Sequence, residues 1–309
     1  MHRRNHEQCV SSDPGHNDPS GAAGPAGYHP TWGDMGGDSG GECGLPTSLR
    51  LGAPTERQTP GANGVWWNAV DVGLLHMVTL SAELDLSVGS KQYEWLVRHL
   101  ETGFDRSRTP WLLLGVHRPL YNNEAYEGDY VVSEHLAQAL EPVLRRFAVD
   151  AVLAGHYHSV LVTCPIAFGE CADSASKGDR TRGGDRGLMG RGRGGASRYV
   201  EANLREQGVL RSSNTTSGAI RSTTFSQGKL RNLHARGLAS SPNATIHYTI
   251  GSAGASLDDA TLYAEPWRVD FFDDNFGYMR LNATANAVEM DFVRNDGGEV
   301  FHRLTIRKD

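Results

Sequence analysis

Three features of the sequence predict an α/β protein. Two short runs, "WLLLGV" at 111–116 and "VDAVLA" at 149–154, are apolar without alternation, as strands buried on both faces of a sheet are. Two amphipathic segments precede and separate them, which is the strand–helix–strand order of a parallel sheet. A series of further strand candidates then fills the last quarter of the chain.

In chain order, residues 1–64 are rich in Gly, Pro, Asp and Ser, show little apolar periodicity, and read as long loops. From Trp66 the texture changes: "VWWNAVDVG" and "LLHMVTLSA" form two strands joined at Gly73, a hairpin. "SKQYEWLVRHLETGF" places Tyr93, Leu96, Val97 and Leu100 at helical spacing behind Ser90, a candidate N-cap. "SEHLAQALEPVLRRF" carries Leu136, Leu140, Val143, Leu144 and Phe147 on one helical face, with Pro142 expected to bend the helix or end its first part. The late strands are "IHYTIGS", "WRVDFF", "FGYMRLNA" and "AVEMDFVRN", with "EVFHRLTIRK" pairing across the "NDGG" turn. Residues 173–243 differ from all of this. They are rich in Gly, Ser, Arg and Thr, and the composition predicts a largely disordered insertion. Its "RGGDRGLMGRGRGG" resembles arginine–glycine tracts that bind RNA loosely; the simpler reading is a tolerated surface insertion.

The bounds are ordinary ones. With 309 residues, the chain can bury a sizeable core, and 39% hydrophobic content with 21% charged residues suits a globular protein. A net charge of −6 argues against nucleic-acid binding by the chain as a whole. No stretch is long and apolar enough to be a membrane-spanning helix. "MHRRNHEQCV" has charge without a following apolar core and does not read as a secretory signal. Sequons at Asn214, Asn243 and Asn282 point the other way, toward secretion, and one resolution is that the true N-terminus lies upstream. The four cysteines, Cys9, Cys43, Cys164 and Cys171, lack paired metal-site spacing; Cys164 and Cys171 are close enough to close a small disulfide loop in an oxidising compartment.

Both buried strands end in histidine: "LLLGVHRPLY" delivers His117, and "VLAGHYHSV" delivers His156 and His158. The carboxyl edge of a parallel sheet is where ligands collect. Glycine before the first imidazole allows a sharp turn, and a neutral imidazole is a common metal ligand. A lone His-x-His is more often a hydrogen-bonded loop; a third histidine at the neighbouring strand end shifts the balance toward a metal site.

Several stretches then carry a resemblance to a known family: "NHE" at 5–7, "GGDSGGECGLP", "HMVTLSAELDLSVGSKQYEWL", "TPWLLLGVHRPLY", "LEPVLRRFAVDAVLAGHYHS", "TCP", "IGSAGASLD" and "FGYMRL". Together, and in this order, they resemble the plant-type purple acid phosphatases of the calcineurin-like metallophosphoesterase superfamily. The resemblance implies a four-layer sandwich, two mixed β-sheets flanked by helices, here lacking its first strands. It implies a partial catalytic domain over 1–172, the insertion 173–243, and C-terminal strands of the same domain over 244–309. It implies metal-dependent hydrolysis of a phosphate monoester by an acid phosphatase, at a centre of Fe3+ with Zn2+, Mn2+ or Fe2+. On that match Asn5, His117 and His156 ligate the divalent metal, His158 faces the ferric one, and His6 stands beside the substrate phosphate as acid or charge stabiliser. A secreted or vacuolar glycoprotein is implied as well.

The departures from the family pattern are specific. Arg4 replaces the glycine before Asn-His-Glu, "NNEAYEGDY" has no substrate-facing histidine, and "SVLVT" replaces the usual Tyr-Glu-Arg. The family's D-x-G and G-D-x-x-Y motifs lie upstream of Asn-His-Glu, so the resemblance implies an N-terminally truncated domain with impaired activity. The competing expectation is a catalytically inactive phosphatase-like module, whose basic insertion binds RNA or a protein partner.

Overall fold

The computed structural model describes residues 59–82, 84–124, 127–172, 234–239, 244–258 and 265–308. Strands β1 (Asn68–Val72) and β2 (Leu75–Leu80) are the expected hairpin, turning through Gly73 at φ 59°. Only a residue without Cβ takes that left-handed backbone at no steric cost. Helix α1 (Lys91–Thr102) follows, with the Ser90 side chain accepting the Tyr93 N–H as the cap. It returns the chain to β3 (Trp111–Val116), parallel to β2. Helix α2 (Glu127–Arg146) leads to β4 (Ala151–Ala154), parallel to β3.

Strand β5 (Val160–Thr163) and the tiny hairpin of β6 (Ile166–Ala167) and β7 (Glu170–Cys171) come next. The Cys164–Cys171 disulfide closes this hairpin. Strands β8 (His234–Ala239), β9 (Ile246–Ile250), β10 (Arg268–Phe272), β11 (Gly277–Ala283), β12 (Ala287–Arg294) and β13 (Val300–Arg307) complete the described chain. The large sheet has the order β1-β2-β3-β4-β9-β5-β10, and the smaller one β11-β12-β13-β8. Both are mixed, as expected.

Strand β3 shows how the layers form. Leu112 and Leu114 point into a core with Trp95, Leu96 and Leu100 of α1 and Leu136, Leu140 and Leu144 of α2. Trp111 and Leu113, one residue out of phase, enter a second core with Tyr248 of β9 and Met290, Phe292, Leu304 and Ile306 of the small sheet. A strand buried on both faces has no polar face to display, which is why "WLLL" reads as unbroken apolar sequence. Helices, large sheet and small sheet are thus stacked as three layers among the described residues. The outer face of β11 carries exposed Tyr278, Arg280 and Asn282, so the Asn282 sequon is presented outward.

The structure bears on two expectations. Pro142 does not end the second helix, which runs as one segment to Arg146. The missing hydrogen bond and ring clash cost about 3 kcal/mol. Leu140, Val143 and Leu144 are each buried around that position, and at roughly 1.5–3 kcal/mol per side chain their burial outweighs the cost. Within the insertion 173–243, only residues 234–239 are among those described. Its residues 234–239 form β8, paired in parallel with β13 from His302↔His234 to Arg307↔Ala239. Pairing at a sheet edge uses backbone N–H and C=O groups, which every non-proline residue offers whatever the composition. The rest of the insertion, with Asn214 and Asn243, lies outside the described residues.

Candidate functional site

Parallel register brings the strand ends together. Val116 of β3 pairs with Ala154 of β4, so His117 and Gly155 leave the sheet side by side, and Gly155 N–H donates to His117 C=O at 3.0 Å. His156 then sits at φ 69°, with Tyr157 N–H bonded to Gly155 C=O at 2.8 Å. That is a one-residue reversal of the rare positive-φ kind, and a non-glycine residue held there marks a constrained site. Its product is an edge-to-face contact between the imidazoles of His117 and His156, with ring centroids 5.2 Å apart.

His158 is oriented by the loop after β9. Its Nδ1–H donates to the Ser256 carbonyl at 2.7 Å, and its backbone N–H donates to Asp258 Oδ2 at 2.6 Å. A carbonyl can only accept, so Nδ1 carries a proton and Nε2 is the ring nitrogen left for another partner. This is how ligating histidines are commonly held by their surroundings. The structure therefore brings His117 and His156 together, and ties His158 to Ser256 and Asp258. Asn5 and His6 lie outside the described residues.

The loop after β3 closes the arrangement. Asn122 Nδ2–H donates to Tyr157 Oη at 2.5 Å and its Oδ1 accepts Glu124 N–H at 2.8 Å. Ser159 Oγ–H donates to Glu124 Oε1 at 2.6 Å. Burial pushes the Glu124 carboxyl up to about 7; the Ser159 bond works against that rise, while Asp258 and Asp273 add to it. Among the described residues, the Asn123 amide and the Ser252 hydroxyl are buried without a hydrogen-bond partner. Such atoms in a well-packed protein mark where solvent or a ligand is held. Glu124, Ser159 and Asp258 were not among the residues singled out from sequence. Their only signal is adjacency to "HRPLY", "GHYH" and "GASLD", and the pairing across those stretches is long-range.

The donor set bears on the metals the resemblance implies. Two imidazoles in contact, with a third in its Nδ1–H form, suit one divalent transition cation. Among the described residues no three His, Cys, Asp or Glu side chains are grouped to hold an ion. A close pair of cations needs bridging anions, and the described residues do not supply that bridge. Among the described residues, the paired imidazoles of His117 and His156 are donors of the kind a divalent transition cation takes.

Comparison with known proteins agrees with the architecture. The calcineurin-like phosphoesterase family matches residues 5–160, and the iron/zinc purple acid phosphatase-like C-terminal family matches residues 244–303. A probable inactive purple acid phosphatase 9 of Arabidopsis thaliana is 25% identical over 88% of this chain and 34% of its own length. Purple acid phosphatase 1 of Ipomoea batatas is 37% identical over 34% of this chain and 22% of its own length. The fold matches that of a purple acid phosphatase from yellow lupin (Lupinus luteus) seeds, with TM-score 0.61 and 23% identity over 91% of this chain and 39% of that one. The chain spans about a third of the length of the Arabidopsis relative, 34%. Two family matches that between them take in the histidine-bearing strand ends and the small sheet place the chain among the calcineurin-like phosphoesterases, and it belongs to their plant-type purple acid phosphatase branch.

Proposed function

We propose that the chain hydrolyses phosphate monoesters at the carboxyl ends of β3 and β4. The observation that carries this reading is the contact of the His117 and His156 imidazoles at 5.2 Å, made by adjacent parallel strands and a strained turn. His117 and His156 would hold one divalent cation, Zn2+ or Mn2+, with Asn5 as a further donor and His158 beside them. When bound, that cation supplies Lewis acidity toward a phosphoryl oxygen. The chain's own residues set the frame: Ser256 and Asp258 fix the His158 ring, and Asn122 and Ser159 tie the β3 and β4 loops together. Below its raised titration range Glu124 carries a proton, which removes one negative charge from the surroundings of an anionic substrate and favours acid conditions.

A second reading has its own support. Glu124, Asp258 and Asp273 gather acidic groups beside His158, and above neutral pH they oppose a phosphate dianion. The Arabidopsis relative bears the name "probable inactive". A phosphate-binding module without turnover would show inorganic phosphate binding that survives His117→Ala, whereas the hydrolase reading requires phosphate release that this substitution abolishes. Release from 4-nitrophenyl phosphate with added Mn2+ or Zn2+ separates the two. The Cys164–Cys171 disulfide and the outward Asn282 support a secreted or vacuolar glycoprotein; mobility on gels before and after glycosidase treatment tests it.

A further inference from the structure

We propose that Tyr121 and Glu141 are positioning residues that couple the Cys164–Cys171 disulfide to the His117 loop, so that a dithiol reductant loosens that loop. The proposal rests on the reading of His117 as a functional residue, and it concerns what holds the loop in place.

The disulfide closes the hairpin of β6 and β7, whose two turn residues are Phe168 and Gly169. Both have positive φ, 52° and 82°. This is the turn sense that fits a two-residue hairpin, yet a bulky aromatic residue adopts it only when its surroundings compel it. The compelling contacts are visible. Phe168 N–H donates to Glu141 Oε2 at 2.9 Å, and Gly169 N–H donates to Tyr121 Oη at 3.0 Å. Tyr121 Oη–H in turn donates to Glu141 Oε1. The turn, the tyrosine and the glutamate thus form a closed ring of hydrogen bonds.

Tyr121 stands four residues beyond His117 in "HRPLY", and the next residue, Asn122, bonds to Tyr157 between His156 and His158. Its ring packs edge-on against His247 of β9 and against Trp267. Glu141 lies in the interior of α2 and is 2% exposed. A buried carboxyl is costly unless hydrogen-bonded, and this ring supplies a bond to each of its two oxygens. With the disulfide intact, the hairpin delivers two N–H donors to fixed points. With it reduced, β7 is held only by its short ladder with β6, the Ala172 N–H bond to Pro165 C=O and the ring's own bonds to the turn, while β6 stays anchored to Thr245. The chemistry balances: the S–S bond breaks, each cysteine sulfur takes one electron and one proton, and the two sulfurs of the dithiol join in a new disulfide. The bridge is half-buried beside exposed Gly169 and Glu170, within reach of a small dithiol.

The test is hydrogen–deuterium exchange of backbone amides in 117–124, read by mass spectrometry on oxidised and dithiothreitol-reduced protein, with the β12 segment 287–294 as internal control. Reduction is expected to speed exchange in 117–124 by at least about tenfold and to leave 287–294 unchanged. In Tyr121→Phe the same segment should exchange fast while the disulfide is intact, and reduction should add little. A Cys164→Ser, Cys171→Ser variant should match reduced wild type. Unchanged exchange in 117–124 on reduction overturns the proposal, as does an equally large effect of reduction in Tyr121→Phe. Phosphate release measured in parallel reports on the hydrolase reading alone: if no form releases phosphate, that reading fails while the exchange result still decides the coupling.

Discussion

Gly251 lies against the backbone carbonyl of Tyr157 with no room for a side chain between them. The loop after β9 and the His-x-His loop after β4 meet backbone to backbone at this point, and Gly251 N–H also donates to Ser159 C=O at 3.2 Å.

Gly251→Ala should therefore displace the loop that carries His156 and His158. Backbone cannot rotate aside as a flexible side chain can, so a loss of about 1–3 kcal/mol is expected from overpacking. Urea unfolding measures it. A melting midpoint equal to that of wild type would show that the two loops do not meet as described.

Asp150 should be among the most sensitive polar residues remote from the histidines. It is 6% exposed, and Oδ2 accepts Leu112 N–H at 2.8 Å at the start of β3. Arg106 reaches the same oxygen at 3.0 Å, and Lys308 approaches from the C-terminal strand at 3.3 Å. Asp150→Ala removes the ion-pair partner of two part-buried cations and leaves the Leu112 N–H without its acceptor, an expected loss of about 2–3 kcal/mol. Asp150→Asn keeps the acceptor and should cost visibly less. Equal effects of the two substitutions would count against this assignment.

Two kinds of buried group set the pH dependence of stability, with opposite signs. Burial lowers the His247 imidazole to about 3, and neither ring nitrogen has a hydrogen-bond partner among the described residues. Between about 3 and 6.5 the unfolded chain binds a proton there that the native state refuses, so stability is lost as pH falls. Burial raises Glu141 to about 7 despite its bonds from Tyr121 and Phe168, so the native state holds a proton that the unfolded chain releases above 4.5, and stability is lost as pH rises. His247→Leu removes the first effect alone. It should therefore gain about 2–3 kcal/mol more relative to wild type near pH 4.5 than at pH 7. Unfolding curves at the two pH values check this, and a gain independent of pH would contradict it.

The elements visible in the sequence are those whose burial is set by their own residues. "WLLLGV" is unbroken because β3 has a core on each side, and Ser90 caps α1 through a contact three residues away. The convergence of His117 and His156 was legible because each directly follows a buried strand and the strands had to be parallel neighbours. What the sequence hid depends on distant partners. Glu124 meets Ser159 across 35 positions and Tyr121 meets Glu141 across 20, and nothing local distinguishes them from surface residues. Strand β8 was hidden for another reason: it contributes backbone to an edge, and backbone leaves no compositional trace. Of the two outcomes Pro142 allowed, an end to the helix does not occur, because helix propensity is local whereas the apolar residues that hold α2 together across it act through the core.

The most direct test of the paired imidazoles is steady-state phosphate release from 4-nitrophenyl phosphate at acid pH, with Mn2+ or Zn2+ added, for wild type, His117→Ala and His156→Ala. The account predicts cation-dependent release that chelation stops and that either substitution lowers by at least about 100-fold. Folded, cation-supplemented wild type that releases no phosphate, or variants that release it as fast as wild type, would contradict it.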